Sequence, residues 1–172
     1  MSWRKIFILF ACCSMAPLLL HAQDKAGSEC PIMATHRKGV TRRGDNVMGF
    51  AHDKTTHHFR LYADGGAIEV TVNDSKDSEN MHAIQSHLTH IVTMFAAGDF
   101  SMPIFVHDQV PPGVLVMKDK RAEIFYRFEE LPTGGRVRIK TANADARKAI
   151  HDFLRFQIED HHTGDTTDIS AF

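Results

Sequence analysis

His87, His90 and Met94 supply two imidazoles and a thioether at spacings of three and four residues. On a helix of 3.6 residues per turn, such positions lie one above another, so the three donors can share a metal ion. Neutral imidazole suits zinc, copper and nickel, whereas thioether or thiolate sulfur favours Cu(I). A zinc site draws more often on cysteine or carboxylate. Copper is therefore the first expectation and zinc the second. His57 shares a strand face with Phe59 and Leu61, while His58 points the other way. His57 is thus the strand residue that can approach the helical donors. Cys30, His36, His52 and His107 are supplementary candidates from a preceding arm and from loops. With His82, His151, His161 and His162, the chain carries eleven histidines after His21 is set aside.

Residues 1–22 read as a signal peptide. Trp3-Arg4-Lys5 gives a positive start, Ile6 to Leu20 is mostly apolar, and Leu20-His21-Ala22 offers a small residue for cleavage before Gln23. The run is too short for a comfortable membrane span, and no later segment qualifies. Leu9-Phe10-Ala11-Cys12 resembles a bacterial lipobox, which makes lipidation at Cys12 the alternative to cleavage. Of the 20 basic side chains, Arg4 and Lys5 fall in the leader, leaving 18 against 21 acidic ones and a net charge of −3. That balance argues against nucleic acid or an anionic membrane as partner. Cys12 and Cys13 leave as well, so Cys30 has no thiol to pair with inside the mature chain. The expected location is secreted or periplasmic.

Residues 23–46 are polar and are expected to form a flexible N-terminal arm. Within it, Cys30-Pro31-Ile32-Met33 with His36 resembles the Cys-Pro-Met-His core of small heavy-metal-binding domains. The likeness spans only those residues, lacks the directly following histidine and identifies no family. Residues 47–172 are expected to form a single α+β domain.

The elements that must position these donors occur twice. Phe59 to Tyr62 alternates, breaks at Asp64-Gly65-Gly66 and resumes at Ile68 to Val72, a hairpin signal. A helical pattern follows from Ser78 to about Ala97 and ends at Gly98-Asp99. Ile124 to Phe128 and Val137 to Lys140 repeat the alternation around Pro132-Thr133-Gly134-Gly135. A second helix runs from Ala144 to His161 and closes at Gly164-Asp165. A shift of 66 sets Ile84, Leu88 and Val92 on Ile150, Leu154 and Ile158, while the Gly-Gly pairs align at 69. The expected fold is α+β: an antiparallel four-stranded sheet with two helices on one face, a pseudo-duplicated ββα-ββα chain. Residues 101–121, rich in proline, form the crossover, with Ile104-Phe105-Val106 as a candidate edge strand.

In the first helix, Ile84, Leu88, Ile91 and Phe95 make the core stripe, with His87, His90 and Met94 on its flank. The plain alternative is that these three only cover the edge of the core. His161 and His162 near a helix C-terminus are explained by the helix dipole if they are cationic. Arg136, Arg138 and Lys140, facing Arg127, make a basic strand face that protects an edge or meets solvent. There is no phosphate loop, catalytic triad or zinc-protease signature, so no nucleotide or organic cofactor is indicated. The sequence reads as an exported His/Met-rich protein that binds a transition metal for sequestration or delivery. The alternatives are a non-metal α+β binding or structural module of the cell envelope, and a small metal-dependent hydrolase. Expected partners are a metal ion or small ligand and, through a sheet edge, a second copy of the chain.

Overall fold

The computed structural model describes residues 31–170. The expected leader at 1–22, the lipidation alternative at Cys12 and the candidate donor Cys30 lie outside them. The elements run α1 (Pro31–Met48), β1 (Thr55–Tyr62), β2 (Gly65–Val72), α2 (Ser78–Ala96), α3 (Ser101–His107), α4 (Val114–Asp119), β3 (Ile124–Leu131), β4 (Gly134–Thr141) and α5 (Ala144–His161). All pairings are antiparallel, in the order β1-β2-β4-β3. Helices α2 and α5 pack on one face of this sheet, as the repeated pattern requires. Asp77 caps α2 by accepting from the Asn80 N–H, and Asn143 caps α5 by accepting from Asp145 and Ala146.

Each helix lies over the strands of the other half: α2 over β3 and β4, α5 over β1 and β2. The glycine pairs make this possible. The turns themselves are Ala63-Asp64 and Pro132-Thr133, because Tyr62 pairs with Gly65 and Leu131 with Gly134. Gly65-Gly66 and Gly134-Gly135 therefore begin strands β2 and β4. A Cβ on Gly66 would sit 2.2 Å from Leu154 Cδ1 of α5, and one on Gly135 would sit 3.1 Å from Leu88 Cδ1 of α2. Leu88 and Leu154 are the positions that the internal repeat superimposes. Both are buried, along with Phe59, Leu61, Ile68, Val70, Val137, Ile139, Ile84 and Ile150.

Two expectations are corrected. Residues 31–48 of the expected flexible arm form helix α1, which packs on α3, α2 and α5. Val40, Gly44, Val47 and Met48 recur at helical spacing and give it an inward stripe, with Val40 2% exposed. The crossover contains helices α3 and α4 and no strand at Ile104 to Val106. Pro103 is the third residue of α3, in the first turn, where its missing N–H removes no helical bond.

The basic strand face is not an open stripe either, since β4 is interior to the sheet and needs no edge protection. Arg138 is 4% exposed. It donates to Gly66 O and Ile139 O, pairs with Asp64 and lies over the Tyr62 ring. Arg136 pairs with Glu69 and Glu129, and Lys140 with Asp64. Among the described residues, no single helix is long and apolar enough to cross a membrane.

The segment after α5 straps the outer edge of β1. Asp165 accepts from the Phe59 N–H at 3.0 Å, His58 Nδ1 at 2.8 Å, Arg60 Nη1 at 3.0 Å and Thr163 Oγ1 at 2.7 Å. Ser170 N–H donates to Leu61 O at 2.9 Å. Burial pushes the Asp165 carboxyl upward, but the donors from Phe59, Thr163 and His58 outweigh it and hold it below the ordinary range. A depressed carboxylate contributes stability above its unfolded-state pKa and loses it as pH falls through its folded one. Asp165→Asn is therefore expected to cost about 2 kcal/mol at pH 7. That cost shrinks as the pH falls below about 4, as urea melts of both proteins across that range would show. A constant difference at every pH would remove the charge from this account.

Candidate functional site

Helices α1, α2, α3 and α5 line a half-open cavity of about 90 Å³ against β1 and β2. Its wall is ordered by helical and strand spacing. Along α5 the lining residues are Phe153, Gln157 and His161, one turn apart; along α2 they are His87, Ile91 and Phe95 at the same spacing, with Leu88 beside them. The helices run oppositely, so His87 and His161 stand at one end and Phe95 and Phe153 meet at the other, with ring centroids 6.0 Å apart. On β1, His57 precedes Phe59 with the same polarity. The cavity thus has an imidazole end and a phenyl end, with Gln157 midway.

Five histidines from five elements reach the imidazole end: His52 from a short 3-10 turn before β1, His57, His87, His107 at the end of α3, and His161. Ring centroids are 5.6 Å apart for His52 and His57, 6.1 Å for His57 and His161, and 6.5 Å for His52 and His161. Phe50 stacks on His57 and meets His87 edge to face. With metal–nitrogen bonds of about 2.0–2.1 Å, rings sharing an ion have centres roughly 5–6.5 Å apart. Three rings around one ion average about 5.5 Å apart at most, so the triangle of His52, His57 and His161 is wider than a closed ligand set. Its ring planes are nearly parallel, and among the described residues no three imidazole, thiol or carboxylate groups are already arranged around one metal position. Joint ligation needs the rings both to turn and to draw closer together.

Burial decides the charge of these rings. It is the largest cause of the downward shift at His57, helped by His52, His87 and His58, to about 3. At His161, burial and then His107, His57 and His52 outweigh Asp160 and lower the ring to about 3. At His87, burial and His90 lower it to about 4. All three are neutral at pH 7, the form that binds metals. His52 Nδ1 is buried with no hydrogen-bond partner among the described residues, which leaves a lone pair or an N–H unused.

The other expected donors are placed as follows. His107 is 1% exposed and both its nitrogens are engaged. Nδ1–H donates to Asp160 at 2.6 Å, so Nε2 is the acceptor and takes an N–H from the Gln157 amide 3.0 Å away. It is therefore a positioning residue in this arrangement, not a free donor. His36 donates to the second oxygen of Asp160 at 2.8 Å and lies outside the cavity wall. Burial pushes the Asp160 carboxyl up, but these two hydrogen bonds bring its net shift below the ordinary range. His90 is exposed, turned about 60° around α2 from His87. Met94 lies two turns, about 10 Å, along the axis from His87 and packs against the core. The expected grouping of His87 with His90 and Met94 is thus not formed.

Sequence reasoning missed three wall residues. Met48 and Met102 bring thioethers to the cavity. His161 is a neutral ring in the wall, not a cation meeting the helix dipole. Its signal was the four-residue period shared with Phe153 and Gln157. Under the internal repeat, His87 falls on Phe153 and Phe95 on His161, so the two helices carry the same pair of ring types in reversed order. In comparisons with family profiles, curated proteins and solved structures, no match was found, and the functional reading rests on this cavity alone.

Proposed function

We propose that the protein binds a transition metal ion, copper before zinc, at the imidazole end of the cavity, and sequesters or delivers it outside the cytoplasm. The observation that carries this is the meeting of His52, His57, His87 and His161 in an apolar wall that keeps at least three of them neutral. Neutral rings bind without first losing a proton at pH 7. An apolar, imidazole-rich wall with Met48 and Met102 nearby suits the softer, singly charged Cu(I) better than an oxygen-seeking ion. His52, His57 and His161 supply a three-nitrogen set, and His87 is the fourth ring within reach. The leader-like residues 1–22 support a secreted or periplasmic setting. A hydrolase reading lacks support, because Asp160, the carboxylate beside the rings, is already held by His36 and His107.

The experiment is metal analysis of protein purified without a histidine tag, followed by Cu(I) and zinc titration against competing chelators. One equivalent of copper is expected, bound more tightly than zinc, and unchanged in His90→Ala and Met94→Leu. Binding of neither metal would overturn the proposal and favour an apolar-ligand module. Loss of binding in His90→Ala would move the site to the outer face of α2.

A further inference from the structure

The sheet has two edges, and the chain treats them differently. The outer side of β1 is closed by the segment after α5, through Asp165 and Ser170. On β3, Leu131 and Gly134 close the two-residue turn as a hydrogen-bonded pair. Alternation then turns the N–H and C=O of Tyr126, Phe128 and Glu130 away from β4. Among the described residues, no backbone partner reaches them. Such a row is a template for another strand.

The helix above this edge differs from its counterpart in the internal repeat. Helix α5 carries four acidic and three basic side chains, whereas α2 carries only Glu79. His87 marks the flank of α2 toward the cavity, so Gln85, Thr89, Val92 and Ala96 on the opposite flank look toward β3. Gln85 donates to Glu130 of β3 at 3.4 Å on that side. Thr89 and Ala96 are exposed, yet this flank holds no charge. Depletion of charge is what marks the core of a protein interface.

We propose that β3 pairs antiparallel with β3 of a second copy about a two-fold axis at Phe128, joining the two four-stranded sheets into one, with the α2 helices side by side over the seam. Phe128 exchanges both backbone bonds with its own counterpart, and Tyr126 does so with the partner's Glu130. The charges choose this register. Tyr126 and Phe128 pack toward the core, so Phe125, Arg127, Glu129 and Leu131 share the outer face. With the axis at Phe128, Arg127 stands opposite the partner's Glu129 and Phe125 opposite the partner's Leu131. An axis one residue away sets Arg127 or Glu129 against itself, which is unfavourable. In the single chain Arg127 pairs with its own Glu129, but Arg127 is 77% exposed and such a surface pair is worth little. Charges on an edge strand usually deter pairing; here opposite signs deter a mismatched strand and accept the matching one. Neither β3 nor this flank of α2 lines the cavity, so the dimer stands apart from the metal reading.

The test is sedimentation equilibrium of the protein in chelator, over a wide concentration range, where a reversible monomer–dimer equilibrium is expected. Arg127→Glu and Glu129→Arg should each weaken the dimer about tenfold or more, because each sets two like-charged pairs across the seam. Mixed in equal amounts, these two variants should associate at least as tightly as the unaltered protein, since every facing pair is then of opposite sign. Glu129 also meets Arg136 within the chain. If Glu129→Arg does not fold, Thr89→Arg serves in its place: the site is exposed, so the monomer should keep its fold while the dimer weakens. Lys148→Glu on α5 should leave association unchanged. A chain that stays monomeric overturns the proposal and leaves the edge to a strand of another protein. A dimer that persists in Arg127→Glu and Thr89→Arg, or folded charge variants that do not associate when mixed, overturns it as well. Loss of copper binding with the dimer intact would strike the metal reading alone.

Discussion

Replacing His57 and His161 together by leucine is expected to abolish stoichiometric copper binding and, in the metal-free protein, to raise the melting temperature. The opposite signs follow from one cause. Both half-buried rings are held neutral by desolvation, and withdrawing a polar group from water costs about 1–3 kcal/mol in proteins where hydrogen bonds do not replace it. Leucine has similar bulk and no polar atom. The double variant should gain about 1–3 kcal/mol, or several degrees in a domain of this size. It also loses two of the three nitrogens in the triangle. Loss even of groups that only orient a metal ligand weakens binding about 10–100-fold, so loss of two ligands should exceed 100-fold. Calorimetry of the apo proteins and chelator competition with copper would measure both effects. A variant that still takes up one equivalent would place the ion elsewhere. A variant that melts lower would mean that the rings stabilise the fold by themselves.

Gly134→Ala is expected to destabilise the protein by about 3 kcal/mol or more, which can be most of a domain's margin. The added Cβ would stand 2.0 Å from Val70 O and 2.9 Å from Thr71 Cα, both backbone atoms of the neighbouring strand β2. No rotamer change relieves a clash with backbone, so β2 and β4 would have to part at the centre of the sheet. Gly164→Ala is the control. Gly164 has φ +73 with nothing within 4 Å of the added Cβ, so its cost is the left-handed backbone alone, about 1–2 kcal/mol. Urea melts and soluble yield would separate the two. Equal losses would show that backbone conformation, not strand approach, is what glycine supplies at 134.

Much of the fold was legible because period is a local property. Alternation marked the cores of β1 to β4, with the glycine pairs that begin β2 and β4 read as turns, and the stripes through Ile84 and Leu88 and through Ile150 and Leu154 marked α2 and α5 to within a residue. Helix α1 was obscured because its inward stripe is thin: one small residue, Gly44, and three apolar ones sit among Arg37, Lys38, Arg42 and Arg43. The prolines of 101–121 read as breakers, although Pro103 falls in a first turn, where proline is tolerated.

The site was half legible. His57 could be assigned to the helix-facing side of β1 from alternation, and His87 to the margin of the α2 stripe. Nothing local showed that His90, three residues on, turns to solvent. His52 and His107 lie outside the long periodic elements, so only the packing of the turn before β1 and of α3 could bring them in. His161 was given the wrong charge because its place at a helix end was weighed before its period with Phe153 and Gln157.

The helices cross over to the opposite half, and the nitrogen donors are divided in the same way: His52, His57 and His87 before the crossover, His161 at the far end of α5. A nascent or threading chain therefore presents three of the four rings long before the last. On the proposed reading, an ion captured early would find an unfinished ligand set, without helix α5 to complete its wall. On the proposed metal reading, loading follows chain completion, an order set by where the histidines fall along the polypeptide.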